Sequence, residues 1–255
     1  MNTMNDRITG TDFISTRQKV NELYGSFDYD SWVMDVIKPK QGDVVLDLGC
    51  GTGKHSRMVS RLVGTGTVVG VDKSPESLVV VRSLCERDGL HNVELVECNI
   101  DEAPHLLGDR KFDIILASYS IYYSANQVSL MSRLAHLLKP NGRLFVTGND
   151  KGNNRELINF INLLHPVEAI PSYEPFTTPR EVANVGLSYR DCTIYHEVNK
   201  VSFPWVTEIA EYWRVSRLYD PVIEGAFTVT MTQHFETNKV FVLTKSILGV
   251  LFYGD

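Results

Sequence analysis

The sequence predicts an α/β protein with a doubly wound, mostly parallel sheet. From residue 44 to 147, short apolar runs rich in β-branched residues alternate with amphipathic segments of helical length. The apolar runs are nearly continuous, which is typical of parallel strands that are covered on both faces. Right-handed crossovers are expected between consecutive parallel strands.

Five strands are expected in this region, and each is a short apolar run. They are Val44–Leu48, Thr67–Val71, Val93–Cys98, Phe112–Ser118 and Leu144–Thr147.

Helices are expected between the strands. An apolar helix face around Met58 and Leu62 ends at Gly64. Ser74 is expected to cap the next helix, with a proline in its first turn, and this helix stops near Gly89. A third helix, over residues 128–138, is followed by the turn sequence Lys-Pro-Asn-Gly at 139–142.

The pattern changes beyond Gly148. We expect helices over residues 153–164, 178–186, 208–218 and 221–234, and strands at Asp191–Val198 and Val240–Lys245 followed by a short apolar tail. Aromatic residues are dense from 171 to 227, and some of them are expected to line an apolar pocket.

Charge and cysteine content narrow the class of protein. The 255 residues carry a formal net charge of −6, and Lys and Arg form no run, so neither nucleic acid nor an anionic membrane surface is expected as a partner. The scattered Cys50, Cys85, Cys98 and Cys192 include no C-x-x-C pair, so we expect reduced thiols in a cytoplasmic protein and no metal site. Neither a signal-peptide core nor an apolar run long enough to span a bilayer is expected.

Three glycines mark the strongest candidate site. Gly49, Gly51 and Gly53 follow the first strand, and such a strand-to-helix turn lets backbone N–H groups approach a ligand at the helix N-terminus. Lys54 stands where a dinucleotide fingerprint needs its third glycine, and the sequence also fails the phosphate-binding Walker pattern. Asp47, just before the turn, is placed to face a cation rather than a pyrophosphate.

This part of the chain resembles the class I S-adenosylmethionine-dependent methyltransferases. Val45–Gly53 is similar to the family's first motif, Val69–Ser74 to its second and Cys98–Asp101 to its adenine-binding motif. The resemblance extends through Phe112–Ser118 and Leu138–Leu144, and covers residues 28 to about 148. It implies a Rossmann-like, seven-stranded sheet with an antiparallel last strand and a helical and loop lid, and S-adenosylmethionine as the cofactor.

The resemblance also implies which residues bind the donor. Asp72 would accept hydrogen bonds from both ribose hydroxyls. Asn99, where family members often carry Asp, would accept from the adenine amine, and the Ile100 N–H would meet a ring nitrogen. The expected donor-binding set is Tyr24, Asp47, Gly49, Cys50, Gly51, Gly53, Asp72, Lys73, Asn99, Ile100 and Ser118.

Each of these residues also has a structural interpretation. Asp47 alone is equally consistent with a turn cap, and Asp72 with the start of a helix. Tyr24, Phe27, Tyr29 and Trp32 form a lid over the methionine end or pack in the core; for Trp32 the core is favoured, because an apolar helix face follows it.

The expected acceptor is a small molecule. The sequence after the fourth strand, Ser118–Tyr123, lacks the proline-containing motif of amino-methylating DNA enzymes, and a serine stands where catechol-type metal enzymes want an acid. Oxygen is slightly favoured over nitrogen as the acceptor atom, and a hydroxyl acceptor would need a base.

The candidate catalytic residues are Tyr122, Tyr123 and His196. The two tyrosines follow the carboxyl end of the fourth strand, beside the point where ligands bind in such sheets, and are expected to orient a ligand. His196 shares a strand face with Ile194 and Val198, and a buried core histidine is the favoured alternative to a base.

Two other functions stay open. One is an enzyme of the same fold that transfers another group from the donor, and the other is a non-catalytic donor-binding regulator. A single domain is expected, with residues 1–40 as an N-terminal helical lid, 41–148 as the donor-binding core, and 149–255 as the remaining core strands with acceptor-binding cap insertions. We expect a monomer or homodimer.

Overall fold

The computed structural model describes residues 11–165 and 188–255. Within these ranges the strands are β1 (Val44–Leu48), β2 (Thr67–Asp72), β3 (Val93–Glu97), β4 (Phe112–Ser118), β5 (Leu138–Asn149), β6 (Asp191–Phe203) and β7 (Phe241–Tyr253). They form one sheet in the order β3-β2-β1-β4-β5-β7-β6. Strands β1 to β5 pair in parallel, and β7 runs antiparallel to β5. The predicted doubly wound, mostly parallel sheet with an antiparallel last strand is confirmed.

The helices in the described ranges alternate with the first five strands and then cluster in the second half. They are α1 (Thr11–Tyr24), α2 (Tyr29–Ile37), α3 (Lys54–Val63), α4 (Pro75–Arg87), α5 (Ala103–Leu106), α6 (Gln127–Ala135), α7 (Arg155–Leu164), α8 (Val206–Arg214) and α9 (Glu224–Asn238). Short 3-10 turns lie at Ile121–Tyr123 and Pro221–Ile223. Ser74 caps α4 by accepting from the Ser77 N–H at 3.1 Å, as predicted.

The chain divides into two compact units, and the first contains most of the sheet. The described residues of this α/β unit are 29–150, 188–196 and 247–255. Its strands alternate between two apolar clusters: Leu46 and Ile115 belong to one, and Val45 and Ile114 to the other. Because successive strand residues point to opposite faces, both faces of the sheet are covered, as the apolar runs predict.

The second, helical unit comprises the described residues 11–28, 151–165 and 197–246. Its core is aromatic: the Trp213 ring stacks on Phe227 at a centroid distance of 4.0 Å, and its indole N–H donates to the Leu218 carbonyl at 2.7 Å. These aromatics therefore pack a core of their own. Within the described ranges, no helix is both long enough and apolar enough to cross a membrane.

Several predicted boundaries are wrong. β6 continues to Phe203, beyond the predicted end at Val198, and α8 ends at Arg214, before the predicted end at residue 218. Two further errors concern β5 and β7, which are antiparallel neighbours in the sheet. The predicted turn at 139–142 lies inside β5, where the register moves from Phe112↔Leu138 to Ile114↔Arg143. The turn sequence is thus accommodated as an irregularity, with Asn141 at a φ of 61°. The apolar tail after residue 245 is the second half of β7, because pairing with β5 gives it a covered position.

The predicted helix over residues 178–186 lies wholly outside the described residues.

Candidate active site

The site lies where β1, β2 and β4 end, because the carboxyl ends of parallel strands share one edge of a sheet. After Leu48 the chain turns back, and the N–H groups of Gly49 and Cys50 both donate to the Val71 carbonyl, at 2.7 and 2.9 Å. Gly53 then begins α3 in the left-handed conformation, with a φ of 75°. The predicted strand–glycine turn–helix arrangement is therefore present.

Two of the glycines are required by close packing as well as by backbone conformation. Gly49 has a φ of 76°, and a Cβ there would lie 2.4 Å from the Ser120 Cβ. A Cβ at Gly53 would lie 2.6 Å from a methyl group of Val81 on α4. At these two positions a side chain is thus excluded by the neighbouring loop and helix of the protein itself.

Asp72, the last residue of β2, holds the loop after β1. One carboxylate oxygen accepts the Gly51 N–H at 2.8 Å, and the other accepts the Ser74 N–H at 3.0 Å. A carboxylate offers about four acceptor positions, so capacity is left for further donors. Asp72 is half-buried.

Asp47 is buried inside β1, one strand away. It accepts a hydrogen bond from the Ser56 hydroxyl at 2.5 Å. Burial raises the pKa of Asp47, partly offset by the His55 charge and the Ser56 hydrogen bond. A buried carboxylate of this kind costs stability unless it is neutralised, and a cation at the glycine loop would neutralise it.

The first turn of α2 is hydrogen-bonded to the carboxyl edge of the sheet, a contact that the sequence pattern did not predict. The Tyr29 hydroxyl lies 2.7 Å from the Ser118 hydroxyl and 2.5 Å from that of Thr147, so it bridges the ends of β4 and β5. Burial raises the pKa of this phenol strongly.

Asp30, the next residue of α2, binds the start of α3. Its carboxylate contacts the Lys54 ammonium at 2.5 Å and the His55 ring at 2.9 Å. Burial alone would raise the pKa of Asp30, but hydrogen bonds from His55 and Lys54 and their charges lower it overall. The sequence analysis considers Tyr29 only as one of several aromatic residues and does not single out Asp30. The one available signal was that a tyrosine and an aspartate stand next to each other at the start of a helix.

The predicted adenine loop follows β3. Asn99 is exposed, and its amide oxygen accepts the Asp101 N–H at 3.0 Å, an Asx turn that fixes the orientation of the amide. The Ile100 side chain is buried in the core. The Asp101 carboxylate accepts from the Ser124 hydroxyl at 2.5 Å and the Ala125 N–H at 2.9 Å.

The tyrosines predicted as catalytic lie in the 3-10 turn after β4. Tyr122 is half-buried and Tyr123 is exposed, with ring centroids 4.6 Å apart. Before them Tyr119 has a φ of 53°, a conformation that non-glycine residues adopt mainly under constraint and often near functional sites. The Ser120 hydroxyl donates to the Leu48 carbonyl at 2.5 Å and so ties this loop to β1.

His196 lies at the same edge of the sheet. Its Nδ1 is 2.8 Å from Asp150, which directly follows β5, and its side chain is 65% exposed. Ile194 and Val198 are exposed with it. The shared strand face is confirmed, but the alternative of a buried core histidine is wrong, because this stretch of the outermost strand carries an open face.

The remaining predicted donor-binding residues are less informative. Lys73 is exposed. Burial raises the pKa of the Cys50 thiol well above its usual value, so the thiol stays protonated. Tyr24 belongs to the helical unit, where its ring lies 6.2 Å from that of Phe203. No group of three metal-binding side chains occurs among the residues that the structure describes.

Comparisons with known proteins match the part of the chain that contains this site. The family model described as a methyltransferase domain matches residues 39–173, more than half of the chain. The aklanonic acid methyltransferase DauC of Streptomyces sp. (strain C5) is 32% identical over 116 residues, which cover 45% of this chain and 52% of that protein. The arsenite methyltransferase of Aquipseudomonas alcaligenes is 27% identical over 231 residues, 78% of this chain and 67% of that protein.

Among solved structures, the YcgJ protein of Bacillus subtilis superposes with a TM-score of 0.61 at 16% identity, covering 88% of this chain and 97% of that one. This likeness establishes the fold alone. The chain spans about half the length of most of the curated relatives it matches.

The fold and the glycine loop define a Rossmann-like α/β protein. The chain belongs to the methyltransferase-domain family, as a class I S-adenosylmethionine-dependent member, and S-adenosylmethionine is its cofactor. The residues fit this group, because a carboxylate with spare acceptor capacity, that of Asp72, stands beside the glycine loop at the carboxyl edge of the sheet.

Proposed function

We propose that the protein transfers a methyl group from S-adenosylmethionine to an oxygen or nitrogen of a small-molecule acceptor. The observation that carries this proposal is the carboxylate of Asp72, held between the Gly51 and Ser74 N–H groups at the open end of β2. A carboxylate fixed in this way is oriented before a ligand arrives, so binding two ribose hydroxyls costs little reorganisation.

The other proposed donor contacts lie along the same carboxyl edge of the sheet. The main chain of Gly49 to Gly53 would receive the methionine part, near the negative charge of Asp47. Asn99 keeps a second acceptor position on its amide oxygen, since the Asp101 N–H uses one, and this position would take the adenine amine. The backbone N–H of Ile100 would meet a ring nitrogen.

S-adenosylmethionine supplies an electrophilic methyl group on a positively charged sulfur. The protein therefore has to hold the acceptor atom in line, roughly 3–3.5 Å from that methyl group, and to exclude water. Tyr122 and Tyr123 are proposed to orient the acceptor.

His196 is proposed as the base when the acceptor is a hydroxyl. Asp150 holds its Nδ1 at 2.8 Å, which leaves Nε2 to take the hydroxyl proton as the oxygen–methyl bond forms and the methyl–sulfur bond breaks. An amine that is already deprotonated in solution would not need this step.

A small acceptor is supported by the relatives and by charge. The two relatives named above act, by their names, on aklanonic acid and arsenite. The net charge of −6 does not favour nucleic acid. We propose residues 41–148 as the donor-binding core of a cytoplasmic monomer or homodimer.

The test is donor binding followed by turnover. We expect calorimetry to show S-adenosylhomocysteine binding that is weakened in Asp72→Ala. We expect methyl-labelled S-adenosylmethionine to yield labelled product from a panel of phenols, carboxylic acids, amines and arsenite. His196→Ala should lower turnover of hydroxyl acceptors more than that of amines, and Asp150→Asn should do so less severely.

Three results would contradict the proposal in different ways. Absence of nucleoside binding would remove the donor site itself. Binding without release of the demethylated thioether for any acceptor would favour the non-catalytic regulator. Transfer of a group other than methyl would favour the other enzyme class of the same fold.

A further inference from the structure

We propose that Asp101 is a positioning residue. It makes donor binding immobilise residues 119–125, which we call the acceptor loop. The proposal rests on the proposed function, because it takes Asn99 and Ile100 as donor contacts and Tyr122 and Tyr123 as acceptor contacts. Its consequence is an ordered reaction in which the donor binds first and completes the acceptor site.

The carboxylate of Asp101 holds the far end of the acceptor loop. Its two oxygens accept from two different groups, the Ser124 hydroxyl at 2.5 Å and the Ala125 N–H at 2.9 Å. Arg133 on α6 adds a hydrogen bond to the Asp101 carbonyl at 2.8 Å. Hydrogen bonds to an ionised acceptor are stronger than neutral ones, and this side chain is only 27% exposed.

The near end of the acceptor loop is tied to the glycine loop. The Ser120 hydroxyl donates to the Leu48 carbonyl, one residue before Gly49. A side chain at Gly49 would overlap Ser120, so the two loops are in close contact there. Tyr122 and Tyr123 therefore lie between two fixed points of the loop. One is next to the glycine loop and the other is next to the adenine loop, and both of those loops are proposed to contact the donor.

The link from the adenine loop to Asp101 is short. The Asn99 amide oxygen accepts the Asp101 N–H at 3.0 Å, so the side chain proposed to bind adenine also fixes the main chain of the anchor. Ser124 in turn is the residue after Tyr123, and its N–H closes the 3-10 turn on the Ile121 carbonyl at 3.0 Å. A nucleoside that immobilises Asn99 therefore immobilises the turn that carries both tyrosines.

The test is hydrogen exchange with S-adenosylhomocysteine as the probe. In the wild-type protein we expect bound nucleoside to slow exchange both in residues 98–103 and in the acceptor loop. Asp101→Asn removes the negative charge that strengthens both hydrogen bonds and replaces one of the two acceptor oxygens by a donor, so we expect at least a fivefold smaller protection of the acceptor loop, with dissociation constants within about threefold of wild type.

Two further variants make the test specific. Ser124→Ala removes one partner and leaves Asp101 in place, so it should reproduce the loss of protection even if Asp101→Asn fails to fold. Asp109→Asn is the matched control, because it makes the same change at an exposed aspartate of the same unit and should behave as wild type.

The outcomes separate this proposal from the proposed function. Failure of the wild-type protein to bind the nucleoside would refute the donor site. Normal binding with no protection of the acceptor loop, or with protection that Asp101→Asn and Ser124→Ala leave unchanged, would overturn the coupling alone. Once an acceptor has been identified, steady-state kinetics provide a further test. If the coupling exists, Asp101→Asn raises the KM for the acceptor more than the KM for the donor.

Discussion

The Gly51 N–H donates to the carboxylate of Asp72 at 2.8 Å, so the acid that ends β2 fixes the middle of the loop that follows β1. One side chain thereby shapes the main chain of the glycine loop and keeps acceptor positions for a ligand. The two roles predict different results for two substitutions.

Asp72→Ala removes both roles, and we expect the affinity for S-adenosylhomocysteine to fall roughly 10- to 100-fold, since a hydrogen bond to a charged group contributes about 1.5–3 kcal/mol. Asp72→Asn keeps one acceptor for Gly51 and should have an intermediate effect. Calorimetry measures both, with Glu97→Ala, an exposed acid that ends β3, as the control. Unchanged affinity in Asp72→Ala would refute the ribose role.

Gly53→Ala tests the close contact with α4. The new Cβ would lie 2.6 Å from a Val81 methyl at a φ of 75°, so we expect the free energy of unfolding to fall by about 2–4 kcal/mol, from overpacking and left-handed strain together. Urea unfolding measures this loss.

Gly108→Ala is the matched control for this substitution. Gly108 has a φ of 58°, but a Cβ added there would meet nothing within 4 Å, so only the conformational cost, roughly 1–2 kcal/mol, should remain. Adding Val81→Ala to Gly53→Ala should recover part of the difference. Equal losses at the two glycines would show that packing against Val81 is unimportant.

Asp47→Asn should separate stability from donor binding. Burial raises the pKa of Asp47, so its contribution to stability is present below the unfolded pKa, near 3.8, and is lost as pH rises through the folded value. The isosteric amide still accepts from Ser56 and removes the buried charge. At pH 7 we expect an equal or higher Tm together with weaker binding of S-adenosylmethionine; a lower Tm with normal binding would contradict this explanation.

Asn99→Asp should preserve donor binding, because a carboxylate accepts the Asp101 N–H and an adenine amine as well as an amide oxygen does. We expect S-adenosylhomocysteine affinity within about threefold of wild type for Asn99→Asp. For Asn99→Ala we expect at least a fivefold loss, corresponding to about 1 kcal/mol for one hydrogen bond. Equal affinities for all three proteins would exclude the Asn99 side chain from the site.

Alkaline stability should depend on two buried tyrosines. Burial raises the pKa of both Tyr29 and Tyr189, so each stays neutral in the folded protein when it ionises in the unfolded chain. Their stabilising contribution is full below pH 10, the unfolded value, and falls above it by about 1.4 kcal/mol per pH unit and per residue.

Phenylalanine variants test this explanation. Tyr29→Phe and Tyr189→Phe should each reduce the slope of unfolding free energy against pH above 10, and the double variant should reduce it most. Each variant should also lose some stability at neutral pH, because Tyr29 bridges Ser118 and Thr147, and Tyr189 donates to the Met131 carbonyl at 2.6 Å. An unchanged slope in the double variant would show that other groups control alkaline unfolding.

Local pattern was sufficient for β1 to β4, whose boundaries lie within one residue of those predicted. These strands are short, apolar and bounded by glycines or caps, so each carries its own signal. The end of β5 at Asn149 is polar, and the second half of β7, although apolar, does not by itself distinguish a strand from a short tail. They are strand because they pair with each other, as at Asn149↔Ile247, and pairing between residues about 100 positions apart is not written in either segment alone.

The sequence by itself determined the fold class, the glycine turn and the positions of Asp47, Asp72 and Asn99, because motif spacing along one chain fixes which residues follow which strand. Only the tertiary structure decided which side chains at the sheet edge contact one another. It shows that Asp72 accepts from Gly51, that Tyr29 bridges β4 and β5, and that Asp101 accepts from Ser124. The physical reason is that a hydrogen bond between distant segments depends on distance and direction in space, and these are set by the packing of the whole sheet rather than by neighbours in sequence.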